Sequence, residues 1–466
     1  MRSAEAPAMR PTGAVWFPAW APTAVVMTAV LFNAALALIN ANVTSLSSSE
    51  VIGLEALVDA AAIAVCLRAP RPWKAFWVGL MVFLFLLDLV NGLGSAHVDP
   101  KFLRDVLIIP IFALLGVTSD RDDVVRIVIR LQWVVLAVMI FEAISPDEYG
   151  RLFNVMSYYI NTRGYEQEQF WSQDTADLFI SASRPDERYL LPFLNIHRLS
   201  SVFLEPVSLG NYAVIVAMAC VALWDRIAPR QKLFLVVSTA MILVGCDGRF
   251  AITSVLIMIM LRFVAPALPR YVNLIYFPGF MILVALAVRF GHLSNNGDDF
   301  PSRAAGSIDV LSQMDLAALF GAEAERAYGV MDSGVAYLLY SQSIIGAAAL
   351  WIAIVYGLPQ RDKASIVYSH AASVYVVLNL LVSYSMFSIK TASLLWFVFG
   401  ALARRTSART APASTPARSS EERAKAWTPV SAIEAAPSHD VSGMSSHGLG
   451  ALGQAGSPLS PFPRGE

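Results

Sequence analysis

Long apolar blocks recur along the first four hundred positions, separated by short stretches that hold most of the charge. A helix needs about 20 apolar residues to cross a hydrocarbon core about 30 Å thick. Blocks of that order fall near 20–41, 51–68, 75–94, 103–119, 124–144, 206–225, 232–246, 250–265, 271–290, 335–357, 365–383 and 386–403. The pattern predicts an all-α polytopic integral membrane protein with twelve transmembrane helices.

The count turns on 232–265, where two short runs flank CDGRF, and a single long helix there would reverse the side of every later loop. Charge decides the matter, because cytoplasmic loops carry the excess of Lys and Arg. Arg68, Arg71 and Lys74 fall in one loop; Arg121, Arg126 and Arg130 in the next of the same parity; then Arg226, Arg230 and Lys232, Arg262 and Arg270, Arg361 and Lys363. Arg2, Arg10, Arg404 and Arg405 put both termini on that side. Two helices at 232–265 keep this alternation intact, so both termini are expected in the cytoplasm.

Two long polar segments remain for the outer side, Ser145 to Glu205 and Gly291 to Gly334. The first interleaves Tyr149, Tyr158, Tyr159, Tyr165, Trp171 and Tyr189 with charged residues, which suits an ordered loop with amphipathic turns. Its aromatics are expected mainly to anchor helices at the interface, with some offering flat faces to sugar rings. After Arg404 the chain turns to Ala, Ser, Pro and Gly, too poor in apolar residues to fold, so 404–466 is expected to be a disordered cytoplasmic tail. The first apolar run leads into Asn40 and Ser47 without a cleavage context and is expected to stay as the first membrane helix.

With 56% hydrophobic and 15% charged residues, the composition speaks against a soluble globular protein. The net charge of −1 offers no basic surface for nucleic acid. Cys66, Cys220 and Cys246 lie in or beside apolar runs without CxxC spacing and read as packing residues. The phosphate-cradling GxxxxGK[ST] loop, GxSxG and HExxH are missing, and no His or Cys spacing suggests a metal or other cofactor.

Candidate chemistry gathers at the outer ends of helices. In HRLSSVFLEPVSLGN, His197 to Asn211, Pro206 suits a first helical turn; Arg198 and Glu205 share a face if the helix extends back, or else Glu205 sits at the helix start. In the Asp247–Gly248–Arg249 turn, the arginine either meets an anion below the outer surface or snorkels beside Asp247. Asp332, Ser333 and Gly334 open the tenth run, with Asp332 either functional or a plain helix-start acid; Arg303 and Arg326 lie in the loop before it. Glu55, Asp59 and Asp88 fall inside helices as a proton relay or interhelical contacts. Lys390 is expected to snorkel outward, and His370 lies in the cytoplasmic half of the eleventh run.

With those residues in view, the chain resembles the Wzy-type polysaccharide polymerases and the related O-antigen ligases of bacterial envelopes. RLSSVFLEPVSLGNY is similar to that family's Arg, Ser, Phe, Glu-Pro pattern at the outer end of a helix, CDGRFAI to its Ser-Arg-Gly turn, and DSGVAYLLYSQSIIGA to its later Ile-Gly motif. Together these cover under a tenth of the chain. Gly248 stands where the family often has Ser, and Asp332 where ligases often carry His, which leans toward a polymerase.

The resemblance implies an enzyme of the bacterial inner membrane that transfers a growing glycan from undecaprenyl pyrophosphate to the next lipid-linked repeat unit, without cofactor or metal. Its partners would be that lipid-linked oligosaccharide, the bilayer, and chain-length regulator and export proteins. Arg198 and Arg249 would clamp the pyrophosphate with their planar forks. Glu205 and Asp332 would orient or deprotonate the acceptor hydroxyl, with His197, Asp247 and Arg303 as accessory groups. A proton-coupled transporter or glycan flippase, resting on Glu55, Asp59 and Asp88, is the other reading, beside an O-antigen ligase and a non-catalytic scaffold.

Overall fold

The structure, a computed structural model, describes residues 17–95, 99–166, 178–182, 197–295, 297, 299–330 and 332–404. The tail from 405 onward, Arg2, Arg10, Trp171 and Tyr189 lie outside them. Among the described residues the chain is helical and carries no strand. The helices of the first half are α1 (Ala21–Asn42), α2 (Ser48–Cys66), α3 (Arg71–Ser95), α4 (Pro100–Val117), α5 (Arg121–Ile144), α6 (Pro146–Phe153) and α7 (Val155–Arg163). After them come α8 (Pro206–Leu223), α9 (Pro229–Gly245), α10 (Arg249–Val264), α11 (Val272–Arg289), α12 (Phe300–Ser312), α13 (Leu316–Leu319), α14 (Gly334–Gly357), α15 (Lys363–Leu380) and α16 (Ile389–Ala403).

Each of the twelve apolar runs is a helix, and 232–265 is two helices separated by Cys246, Asp247 and Gly248. Among the described residues seven helices are long and apolar enough to cross a membrane: α1, α3, α5, α8, α10 together with the 3-10 turn that carries it on to Ala267, α11 and α14. The molecule is therefore an all-helical membrane protein. Helices α2 and α4 each carry three charged residues, while α9 and α16 are shorter, at 17 and 15 residues.

Burial sorts these helices into two kinds. Every residue of α16 is buried, as is nearly all of α8 and α15, whereas α3, α9, α10 and α11 present large apolar side chains such as Phe85, Leu233, Phe263 and Leu283 to the outside. An apolar exterior of this extent belongs in lipid rather than in water. Since lipid is as apolar as the core, close packing selects the central pair. A Cβ on Gly116 of α4 would collide with the Phe397 carbonyl of α16, and one on Gly400 of α16 with the Ala113 carbonyl of α4. Polar contacts add to this: Gln132 of α5 donates to Ser238 of α9 at 2.8 Å and accepts from Tyr212 of α8 at 3.1 Å.

Ion pairs draw the basic loops together at one end of the bundle. Arg121 meets Asp362 at 2.6 Å, Arg404 meets Asp120 at 3.1 Å, Arg226 meets Asp122 at 3.7 Å and Arg262 meets Asp225 at 2.9 Å. The opposite end holds α6, α7, the turn before α8, the α9–α10 turn and the start of α16, which is where the candidate chemistry lies.

Candidate functional site

The site is built at the start of α8. Pro206 opens that helix and Glu205 is its N-cap residue, so the reading of Glu205 at a helix start holds and no helix runs back to Arg198. The segment 201–203 is a single 3-10 turn. Ser201 and Leu204 take positive φ values of 50° and 62°. Left-handed backbone in non-glycine residues costs about 1–3 kcal/mol each and persists where the surroundings hold it.

Four groups converge on the Glu205 carboxylate. Oε1 accepts from the Tyr159 hydroxyl at 2.6 Å and from Arg163 at 3.1 Å; Oε2 accepts from the Ser208 hydroxyl at 2.6 Å and lies 2.8 Å from Lys390 Nζ. The expectation that Lys390 snorkels outward is corrected here. Its side chain is 2% exposed, and Nζ also donates to the Phe203 carbonyl at 3.1 Å, because a neighbouring carboxylate and a carbonyl satisfy the ammonium inside the bundle.

Exposure rises outward across this cluster, from 2% at Lys390 through 14% at Glu205 to 34% at Arg163. The Arg163 guanidinium also rests 4.7 Å from the centre of the Tyr159 ring. Burial pushes the Glu205 carboxyl up, but the charges of Lys390 and Arg163 and the bonds from Lys390 and Ser208 outweigh it and hold it lowered, to about 2. Burial, followed by the charge of Glu205, raises the Tyr159 hydroxyl well above its ordinary value. Tyr159 is therefore a neutral donor, and Glu205 a permanent anion.

Arg198 stands apart from Glu205. It donates from Nε to the Cys246 carbonyl at 3.1 Å and from Nη1 to the Ser181 carbonyl at 3.0 Å, stapling its segment to the α9–α10 turn. There the Leu199 amide also bonds the Gly245 carbonyl at 2.9 Å. Asp247, buried with φ 46°, reverses the chain, and Arg249 is exposed in the first turn of α10. This turn lies against α8: a Cβ on Gly210 would come within 3.1 Å of the Ala251 Cβ and 3.6 Å of Cys246 Sγ. Asp332 is 91% exposed and 3.6 Å from Arg303, while Ser333 caps α14. Tyr165 lies within electrostatic reach of both Asp332 and Glu205.

Sequence reasoning missed four charged residues here. Arg163 lies in the aromatic stretch MSYYINTRGY, whose mixture of rings and charge was the available signal. Glu142 is an acid inside the apolar run 124–144, which is the criterion that singles out Glu55 and Asp88; its carboxylate takes the Ser200 and Ser201 amides. Arg104 and Asp105 are adjacent charges in α4, and Arg104 pairs with the buried Glu55 of α2. Arg104 lies 3.2 Å from Glu55 and 2.7 Å from Asp105, and Tyr337 donates to Asp105 at 2.6 Å.

Glu55, Asp59 and Asp88 are all buried, and Asp59 Oδ1 has no hydrogen-bond partner among the described residues. His370 is buried, with Nδ1 3.0 Å from the Tyr276 hydroxyl. Arg326 pairs locally with Glu323 at 3.0 Å. Among the described residues, no group of three His, Cys, Asp or Glu side chains could hold a metal. No family model, characterised protein or solved structure matches this chain.

Proposed function

We propose that this protein polymerises lipid-linked oligosaccharide repeat units in a bacterial inner membrane, passing the growing glycan from undecaprenyl pyrophosphate to the next lipid-linked unit. In this reading all twelve apolar helices cross the bilayer, both termini are cytoplasmic, and the Glu205 end faces the periplasm. The observation that carries it is the graded cluster of Lys390, Glu205 and Arg163 at the start of α8, which holds a partly exposed guanidinium in place. Arginine's planar fork suits phosphate oxygens.

An acceptor hydroxyl oxygen attacks the anomeric carbon of the donor glycan. The bond to the pyrophosphate oxygen breaks, and the leaving group departs with that electron pair. Arg163 and Arg249 stabilise its growing charge. The hydroxyl proton passes to a carboxylate. With its carboxyl held at about 2, Glu205 is a weak base, and its role is to fix the two cations. Asp332, exposed beside Arg303, takes the proton.

The test replaces Arg163, Arg249, Glu205 and Asp332 by Ala in turn, checks the amount of protein in the membrane, and analyses the lipid-linked glycans. Single repeat units are expected to accumulate. Long chains of normal length in all four variants sink the proposal, and normal carrier-linked polymer that fails to reach a final acceptor identifies a ligase instead.

The buried acids favour a second reading, as a flippase or proton-coupled transporter, since ionisable groups within a membrane helix mark ion or substrate paths. In that case Glu55→Gln and Asp59→Asn leave repeat units on the cytoplasmic leaflet. Arg104, already satisfying Glu55, makes a static interhelical network the simpler role.

A further inference from the structure

Glu142 of α5 is 1% exposed and is not among the groups assigned a role above. Its carboxylate accepts from the Ser200 amide at 2.9 and 3.1 Å, the Ser201 amide at 2.6 Å and the Ser200 hydroxyl at 2.9 Å, with His197 Nε2 3.4 Å away. Ser200 has φ −120° and ψ −22°, and Ser201 has φ 50°. A residue at negative φ and small negative ψ followed by a left-handed one turns successive N–H groups into one concavity, an arrangement that binds anions. Here the anion is a side chain of the protein itself.

The same turn is held from two other directions. Tyr149 donates to the Ser201 carbonyl at 2.6 Å, and Lys390 donates to the Phe203 carbonyl at 3.1 Å. Immediately after this pinned and strained segment comes Glu205, which sets the places of Arg163 and Lys390. Strained backbone that is held from several sides is a feature of sites where placement matters.

We propose that Glu142 is a positioning residue. By filling the concavity of Ser200 and Ser201 it fixes the turn, and through Glu205 it fixes where the Arg163 guanidinium meets a phosphate ester. This rests on reading the cluster of Arg163, Glu205 and Lys390 as the site for the leaving pyrophosphate. Gln in place of Glu142 puts an amide NH2 against backbone donors, so the concavity loses its anion and one of its acceptors. Asp keeps the charge on a shorter stem.

The experiment measures polymerisation by the full-length protein in detergent or reconstituted membranes, against repeat-unit concentration and per folded molecule. Misplacement of about 1 Å costs on the order of 10²-fold in rate. Glu142→Gln is expected to lose turnover on that scale, with kcat and kcat/KM falling together, as for an interaction made in the transition state. Glu142→Asp is expected to restore part of it. Ser200→Ala, which removes one donor and keeps both amides, is expected to show a smaller loss in the same direction, and serves if Glu142→Gln does not fold.

Wild-type turnover per folded molecule in Glu142→Gln overturns the proposal, and so does wild-type turnover in Ser200→Ala where Glu142→Gln only lowers the amount of protein. Arg163→Ala, run in parallel, separates two failures. If it is inactive beside a fully active Glu142→Gln, the role of Glu142 alone is removed; if it is active, the phosphate reading goes and takes that role with it.

Discussion

Replacing Lys390 by Met keeps the unbranched stem and removes the ammonium from a pair whose side chains are 2% and 14% exposed. Removing one partner of a buried ion pair costs about 3–5 kcal/mol, because the other charge is left uncompensated. In this variant Glu205 keeps Arg163 at 3.1 Å, Tyr159 at 2.6 Å and Ser208 at 2.6 Å, while the Phe203 carbonyl loses its donor. Three surviving partners put Lys390→Met at the lower end, about 3 kcal/mol. Glu205→Gln instead strips Lys390 of its counter-charge and leaves it the Phe203 carbonyl, while also releasing Arg163, so it belongs at the upper end, about 5 kcal/mol. The double variant Glu205→Gln/Lys390→Met removes both charges and recovers most of the loss. Thermal unfolding of the detergent-solubilised full-length protein then ranks wild type, double variant, Lys390→Met and Glu205→Gln in falling order. Additive losses in the double variant, or a wild-type melting point in Lys390→Met, refute the reasoning.

Acid titration and packing give two more tests. The Glu205 carboxyl lies at about 2 in the folded protein against an ordinary 4.5, so the stability it contributes is complete above pH 4.5 and is lost as the pH falls from there through about 2. The melting point of the wild type is expected to fall more steeply than that of Glu205→Gln below pH 4.5; parallel curves across that range contradict the assignment. Gly400→Ala drives a methyl into the Ala113 carbonyl and is expected to lose about 3 kcal/mol, the upper range for overpacking, whereas Gly79→Ala, with nothing near its Cβ, leaves the melting point and the monodispersity of the purified protein unchanged.

Much of the architecture was legible in the chain because bilayer thickness acts on sequence directly. Runs such as 206–225 and 335–357 must be helices, since an apolar medium leaves backbone groups no other partner. The alternation of basic loops matched real proximity, with Arg121, Arg226, Arg262 and Arg404 gathering at one end. The CDG turn was legible because the basic loops before and after it keep their alternation only if 232–265 is two helices.

At the site, the sequence determined that Glu205 begins a helix, through Pro206, and that charge collects at one end of the bundle. Only the tertiary structure decided which charges meet. Arg163 and Lys390 lie 42 and 185 residues from Glu205, and Glu142 lies 58 from Ser200, separations at which no local periodicity speaks. Arg198, seven residues from Glu205, turned away to the carbonyls of Ser181 and Cys246. Hydropathy fixes which segments enter the membrane, but lipid does not distinguish one apolar helix face from another. Close approach at Gly116 and Gly400, and the need of each buried charge for a partner, chose the neighbours.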